Sequence, residues 1–277
     1  MKGKQNIPLV IAVVLLLLLG CSIWERGNPL DPGGVSYQPP TATIDFPYDG
    51  YVSGNSQIGF QWHGNNPNCS YSYKLTYADT FDYYPESGWS AWENAHEVTI
   101  GSLDEETYTF GVKARYPSGE EQNFPPTVSF LVDAYPDSSL LIKPCSTSVS
   151  LYQEFTIHIT IKEIENLMAA KINLNFSKDT IEIVPNGIQE GALLRQNGGE
   201  VVLFDSVLNS QGSVEIDLGI AEGTSPGVSG SGSLVMITFK AKMMGIASIS
   251  FEFYELRDTN NLTIHINDSR GSKVTIE

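Results

Sequence analysis

Cysteine, histidine and basic residues are scarce in this chain of 277 residues, which has three Cys, four His, and 16 Lys plus Arg against 32 Asp plus Glu. Three cysteines cannot staple a disulfide-rich miniprotein, and the length is enough to bury one large or two modest cores without staples. His63, His96, His158 and His265 stand singly, with no ligand spacing between them, so no metal site is read. A formal net charge of −16 repels phosphate backbones and anionic headgroups, which excludes nucleic acid as a partner; the charge itself serves solubility. Helical periodicity is missing from the body of the chain, and so is a phosphate-cradling Gly loop followed by a helix. The stretch GVSGS, residues 227–231, is one residue short of a Gly-x-Ser-x-Gly elbow and leads into a strand where the elbow needs a helix. Asp104, Glu105 and Glu106 read as a solvated run in a turn. No catalytic residue and no cofactor follows from any of this, and the chain reads as a non-enzyme.

One long apolar run is present, at the N-terminus. MKGKQNIPLVIAVVLLLLLGCS carries Lys2 and Lys4, an apolar stretch from about Leu9 to Leu19, then Gly20-Cys21. The stretch is short of the ~20 residues a spanning helix needs and fits the core of a signal peptide. Leu18-Leu19-Gly20-Cys21 resembles a bacterial lipobox, with cleavage before the cysteine and acylation of Cys21. That resemblance implies residues 1–20 as a leader, a lipid-anchored protein of the bacterial cell envelope, and Ser22 as an outer-membrane or cell-surface address. Each buried CH₂ adds about 0.8 kcal/mol, so several acyl chains hold a protein to a membrane durably. Residues 21–40, rich in Pro and Gly, read as a tether. Once Cys21 is acylated, Cys69 and Cys145 remain, and both pairing and non-pairing are open.

From Thr41 onward the pattern is β throughout. QIGFQW places Ile58, Phe60 and Trp62 on one face; YSYKLTY does the same with Tyr71, Tyr73, Leu75 and Tyr77, and ETYTFGVKARY with Tyr108, Phe110, Val112 and Ala114. Strands separated by Pro, Gly and Asn turns at about 8–12-residue spacing indicate a sandwich. The succession over residues 41–134 resembles a fibronectin type III or Ig-like domain, carried by the Trp62 strand and YTFGVKA. Within it, Tyr83, Tyr84, Trp89 and Trp92 cluster in YYPESGWSAW, and aromatic faces of this kind stack on sugars or simply pack.

Near residue 135 the texture changes to fewer aromatics, more Ile, Leu and Val, and longer strands, about nine in all. The order INLNFSKDTIEIV, NGIQEGALL, LGIAEGTSPGVSGSGSLVMITFKAK, GIASISFEFYELRD and VTIE resembles a cohesin domain over residues 135–277. The Gly/Ser stretch before LVMITFKA reads as a crossover between sheets, followed by a centrally buried strand. The whole is therefore an all-β chain of two sandwiches, the second like a carbohydrate-binding module in fold.

Cohesins bind dockerin modules carried on polysaccharide-degrading enzymes. The resemblance puts the partner surface on strands at about 169–176, 201–206 and 214–222. Ile172, Leu174 and Phe176 then point inward, while Lys171, Asn173 and Asn175 point outward as contacts, joined by Asp217 and Glu222. Ala169 and Lys171 stand where well-known members carry Asn and Asp, and Ser177-Lys178 replaces an Asp-Pro turn. The expected partner is a dockerin-bearing or other secreted protein. The alternatives are polysaccharide binding through the aromatic cluster, and a spacer role in an envelope assembly.

Overall fold

The computed structural model describes residues 29–30, 33–34, 36–77, 88–221 and 226–277. Residues 1–20, Cys21, Tyr83, Tyr84 and Glu222 lie outside the described residues. Among the described residues every element is a strand apart from one 3₁₀ turn at Leu193–Arg195.

Seven strands build the first sandwich: β1 (Ala42–Phe46), β2 (Tyr51–Ser53), β3 (Ile58–Gly64), β4 (Ser70–Tyr77), β5 (Glu97–Ile100), β6 (Thr107–Arg115) and β7 (Thr127–Val132). They divide into a sheet β1-β3-β5 and a sheet β2-β7-β6-β4, the three-plus-four split of an Ig-like fold. Alternation does what the sequence promises. Ile58, Phe60 and Trp62 of β3 point inward, and Phe60 and Trp62 meet Phe110 of the facing sheet, the Phe60 and Phe110 rings stacked at 4.1 Å.

The tether reading stops short of residues 36–40. Pro40 is buried, Tyr37 packs on the first core, and Tyr116 donates its hydroxyl proton to the Gln38 carbonyl at 2.9 Å. A Pro-rich chain with no strand of its own is held here by side chains from the sandwich, which sequence alone does not reveal.

The second sandwich comprises β8 (Ser139–Lys143), β9 (Ser146–Val149), β10 (Glu154–Phe176), β11 (Ile181–Glu190), β12 (Val201–Leu208), β13 (Ser213–Ile220), β14 (Val228–Ala241), β15 (Gly245–Asp258), β16 (Thr263–Ile264), β17 (Asp268–Arg270) and β18 (Ser272–Ile276). Eleven strands form where about nine are expected, because β16 and β17 are two and three residues long, too short to show alternation. β10 runs for 23 residues and serves both layers. Its first half pairs with β14 and β8, and its second half with β13 and β15.

The Gly/Ser stretch explains how β10 passes from one layer to the other. It is not a loop before a strand but the first part of β14, lying opposite the bulged section of β10. There Glu163 and Asn166 adopt positive φ of 44° and 56°. Ser231 Oγ accepts the Glu163 N–H at 3.0 Å and Ser229 Oγ accepts that of Asn166 at 2.9 Å. Hydroxyls thus satisfy the amides that the bulges remove from the ladder. After Ser233, β14 becomes fully apolar inward: Leu234, Val235, Ile237 and Phe239 are buried between β11 and β10.

Candidate binding surface

β12, β13, the second half of β10, and β15 lie side by side, and their register sets the outer face residue by residue. One cross-strand row reads Phe204, Asp217, Lys171, Glu255; the next reads Val202, Gly219, Ala169, Arg257; a third reads Ser206, Glu215, Asn173, Phe253. Period-2 geometry sends the intervening Ile172, Leu174, Ile216 and Leu218 into the core. The outward set expected from the sequence, Lys171, Asn173, Asn175 and Asp217, is on this face, with Asn175 opposite Ser213. Glu222 is outside the described residues.

Apolar side chains stand open on the same face. Phe204 is 68% exposed, Phe253 46% and Val202 39%. Around them the charges are paired: Lys171 Nζ lies 3.8 Å from Asp217 Oδ2 across strands, and Arg257 lies 2.6 Å from Glu255 along β15. Exposed pairs of this kind contribute little to stability, so the arrangement does not explain itself as scaffolding.

The face is also dented. A concavity of about 310 Å³ has Ala169 and Gly219 in its floor and Val202, Phe204, Lys171 and Arg257 around it. Small residues make the dent. A Cβ on Gly219 would come within 3.1 Å of Ala169 Cβ and 3.2 Å of the Met168 carbonyl. In the Ser206–Glu215–Phe253 row, Asn173 Oδ1 is buried without a hydrogen-bond partner.

Phe204, Val202, Phe253, Glu255 and Arg257 were not among the expected contacts. Phe204 was findable, since the even residues of β12 share the phase of Asp217. Phe253 was not, because a bulge between Asn173 and Leu174 shifts the register of β15 just there.

The aromatic cluster of the first sandwich is differently made. Lys113 Nζ lies 5.0 Å from the Trp89 ring centroid and 4.8 Å from that of Trp92, and the Arg115 guanidinium lies 4.3 Å from Trp92. Alternation on β6 presents both cations on one face, so the tryptophans already have stacking partners within the chain. Tyr83 and Tyr84 are outside the described residues. Cys69 and Cys145 are free and buried, in different sandwiches. Burial raises the pKa of both thiols, and the nearby Asp104 carboxylate raises that of Cys145 further. Of the histidines, His63 meets the Asp45 carboxylate at 2.8 Å and His158 the Ser233 hydroxyl at 3.3 Å. Among the described residues no group of three or more His, Cys, Asp or Glu is placed to hold a metal ion, and no helix is long and apolar enough to cross a membrane.

No protein-family model matches the chain, and neither does any curated protein. Solved structures do match. A non-cellulosomal cohesin from the hyperthermophilic archaeon Archaeoglobus fulgidus is 12% identical at a TM-score of 0.42, over 51% of this chain and 92% of that one. A type II cohesin domain from the cellulosome of Acetivibrio cellulolyticus is 18% identical at 0.44, over 50% and 95%. A cohesin in a type I cohesin–dockerin complex from Clostridium thermocellum is 11% identical at 0.43, over 51% and 100%. At such identities no contact residue transfers from these proteins to this one.

Proposed function

We propose that the outer face of β12, β13, β10 and β15 binds a protein module of the dockerin kind, on a chain held to a bacterial envelope by lipid on Cys21. The observation that carries the reading is Phe204. A 68%-exposed ring sits beside a dent on a sheet face that also exposes Val202 and Phe253 among charged and polar side chains. Aromatic anchors near the centre of a patch, ringed by polar groups, are the usual source of binding energy in protein interfaces. The cohesin-like order of segments supplies the kind of partner, and the leader with its lipobox-like end supplies the address. A link to polysaccharide degradation enters through the enzymes that bear dockerins.

A dockerin folds around calcium held by carboxylate and amide oxygens, so a chelator should abolish capture while leaving this chain's own melting unchanged. The test is titration of the full chain against a panel of purified dockerin modules, with and without chelator. Binding that survives Phe204→Ala and a Lys171→Glu, Asp217→Lys swap unweakened sinks the surface assignment. A Cys21→Ser protein that still partitions into detergent sinks the anchor.

A further inference from the structure

The two apolar cores do not merge. One is drawn from residues between Ala42 and Val132, the other from residues between Leu140 and Ile276. What joins the sandwiches is polar, and most of it comes from the run read as a solvated turn. Asp104 is only 5% exposed and its carboxylate accepts the Cys145 N–H of the second sandwich at 3.0 Å. Glu105 Oε1 accepts the N–H groups of Ala134 and Tyr135 in the connection, at 2.5 and 2.6 Å. Lys162 reaches back from β10 to Glu105 at 2.9 Å and also pairs with Asp133. Lys143, with a 9%-exposed side chain, pairs with Glu106 and donates to the Glu105 carbonyl at 2.8 Å. Cys145 Sγ donates to Ser102 O at 2.8 Å, and Arg270 to Leu103 O at 3.4 Å.

The charges are sorted by side. The first sandwich and its exit contribute Asp104, Glu105, Glu106 and Asp133, and the second contributes Lys143, Lys162 and Arg270. A flexible linker would leave these ends in water. The Lys143–Glu106 and Lys162–Glu105 pairs are largely withdrawn from solvent and hold one geometry, since removing either partner strands the other charge. Each sandwich therefore keeps the other's charges neutralised.

We propose that residues 102–106 form an electrostatic clasp that locks the two sandwiches into a single rigid body, so that the Phe204 face is presented in a fixed direction relative to the first sandwich. The first sandwich is then a mounting, not a loose spacer, and residues 138–277 alone would uncover Cys145 and leave Lys143 and Lys162 without Glu106 and Glu105.

Cys145 reports on the joint, because opening it uncovers the thiol. The experiment uses the full chain with Cys21→Ala and Cys69→Ala, leaving Cys145 as the sole thiol, and compares it with the same chain carrying Lys143→Met and Lys162→Met. Maleimide labelling rate, solution scattering and calorimetry are read together. The clasp predicts slow labelling and one cooperative unfolding transition in the parent. In the Lys→Met chain it predicts labelling faster by an order of magnitude, a larger maximum dimension, and two transitions. Glu106→Gln tests the same joint from the first sandwich, should the double change fail to fold. Fast labelling in the parent, or labelling and scattering that neither set of changes alters, overturns the proposal. Partner binding is not read in any arm, so the surface assignment stands or falls separately.

Discussion

The two sandwiches solve the same packing problem with different side chains. The first fills its interior with rings: Phe60, Phe110, Tyr108, Tyr116 and Phe130 are almost wholly buried and pack within strands of three to nine residues. The second fills its interior with branched aliphatics such as Leu140, Ile142, Ile157, Ile159, Ile161 and Ile164, and it needs strands as long as 23 residues to assemble enough of them. A ring brings large apolar area on one residue, whereas isoleucine must be repeated along a ladder. The outer faces differ in the opposite sense. In the first sandwich Trp89 and Trp92 lie against Lys113 and Arg115, so that part of its face is covered from within. In the second, Phe204, Val202 and Phe253 have no such cover.

The sharpest way to break this comparison is to remove a ring from the aliphatic core. Phe239 is fully buried and packs against Phe155 at 5.8 Å and edge-on against Phe176 at 5.3 Å. Phe239→Ala should lower stability by roughly 3–5 kcal/mol in denaturant melts, and a loss under about 1 kcal/mol would make β14 peripheral. Next in size is the surface. Phe204→Ala should weaken dockerin-module binding by about tenfold or more, about 1.4 kcal/mol, while the melting temperature holds. A drop in melting temperature without loss of binding would make Phe204 a packing residue. Trp92→Ala should lower stability by about 1 kcal/mol through lost cation–π contact and leave retention on insoluble polysaccharides unchanged. Lost retention would instead restore the glycan reading of the cluster. Smallest is Lys171→Ala: the Lys171–Asp217 pair is half in solvent, so melts should move by less than about 0.5 kcal/mol.

How much was legible beforehand depended on whether the signal was local. The inward phase of Ile172, Leu174 and Phe176, and the outward phase of Lys171, Asn173 and Asn175, follow from a two-residue repeat and hold in the structure. Phe204 sits in the same kind of repeat, yet its importance depends on which strand lies beside β12. Glu105 and Glu106 look like any charged turn until the second sandwich arrives with Lys143 and Lys162.

The sequence by itself determined that the chain is all-β, that an aromatic-rich region precedes an aliphatic one, and which side chains of each strand share a face. Strand geometry fixes these within a few residues, without reference to the rest of the fold. The tertiary structure alone decided that Asp217, Lys171 and Glu255 form one row with Phe204, that β10 bends between layers against serine hydroxyls, and that Glu105 and Glu106 of one sandwich meet Lys162 and Lys143 of the other. Such neighbours are brought together by register and loop closure over tens of residues, and no short stretch of sequence carries that information.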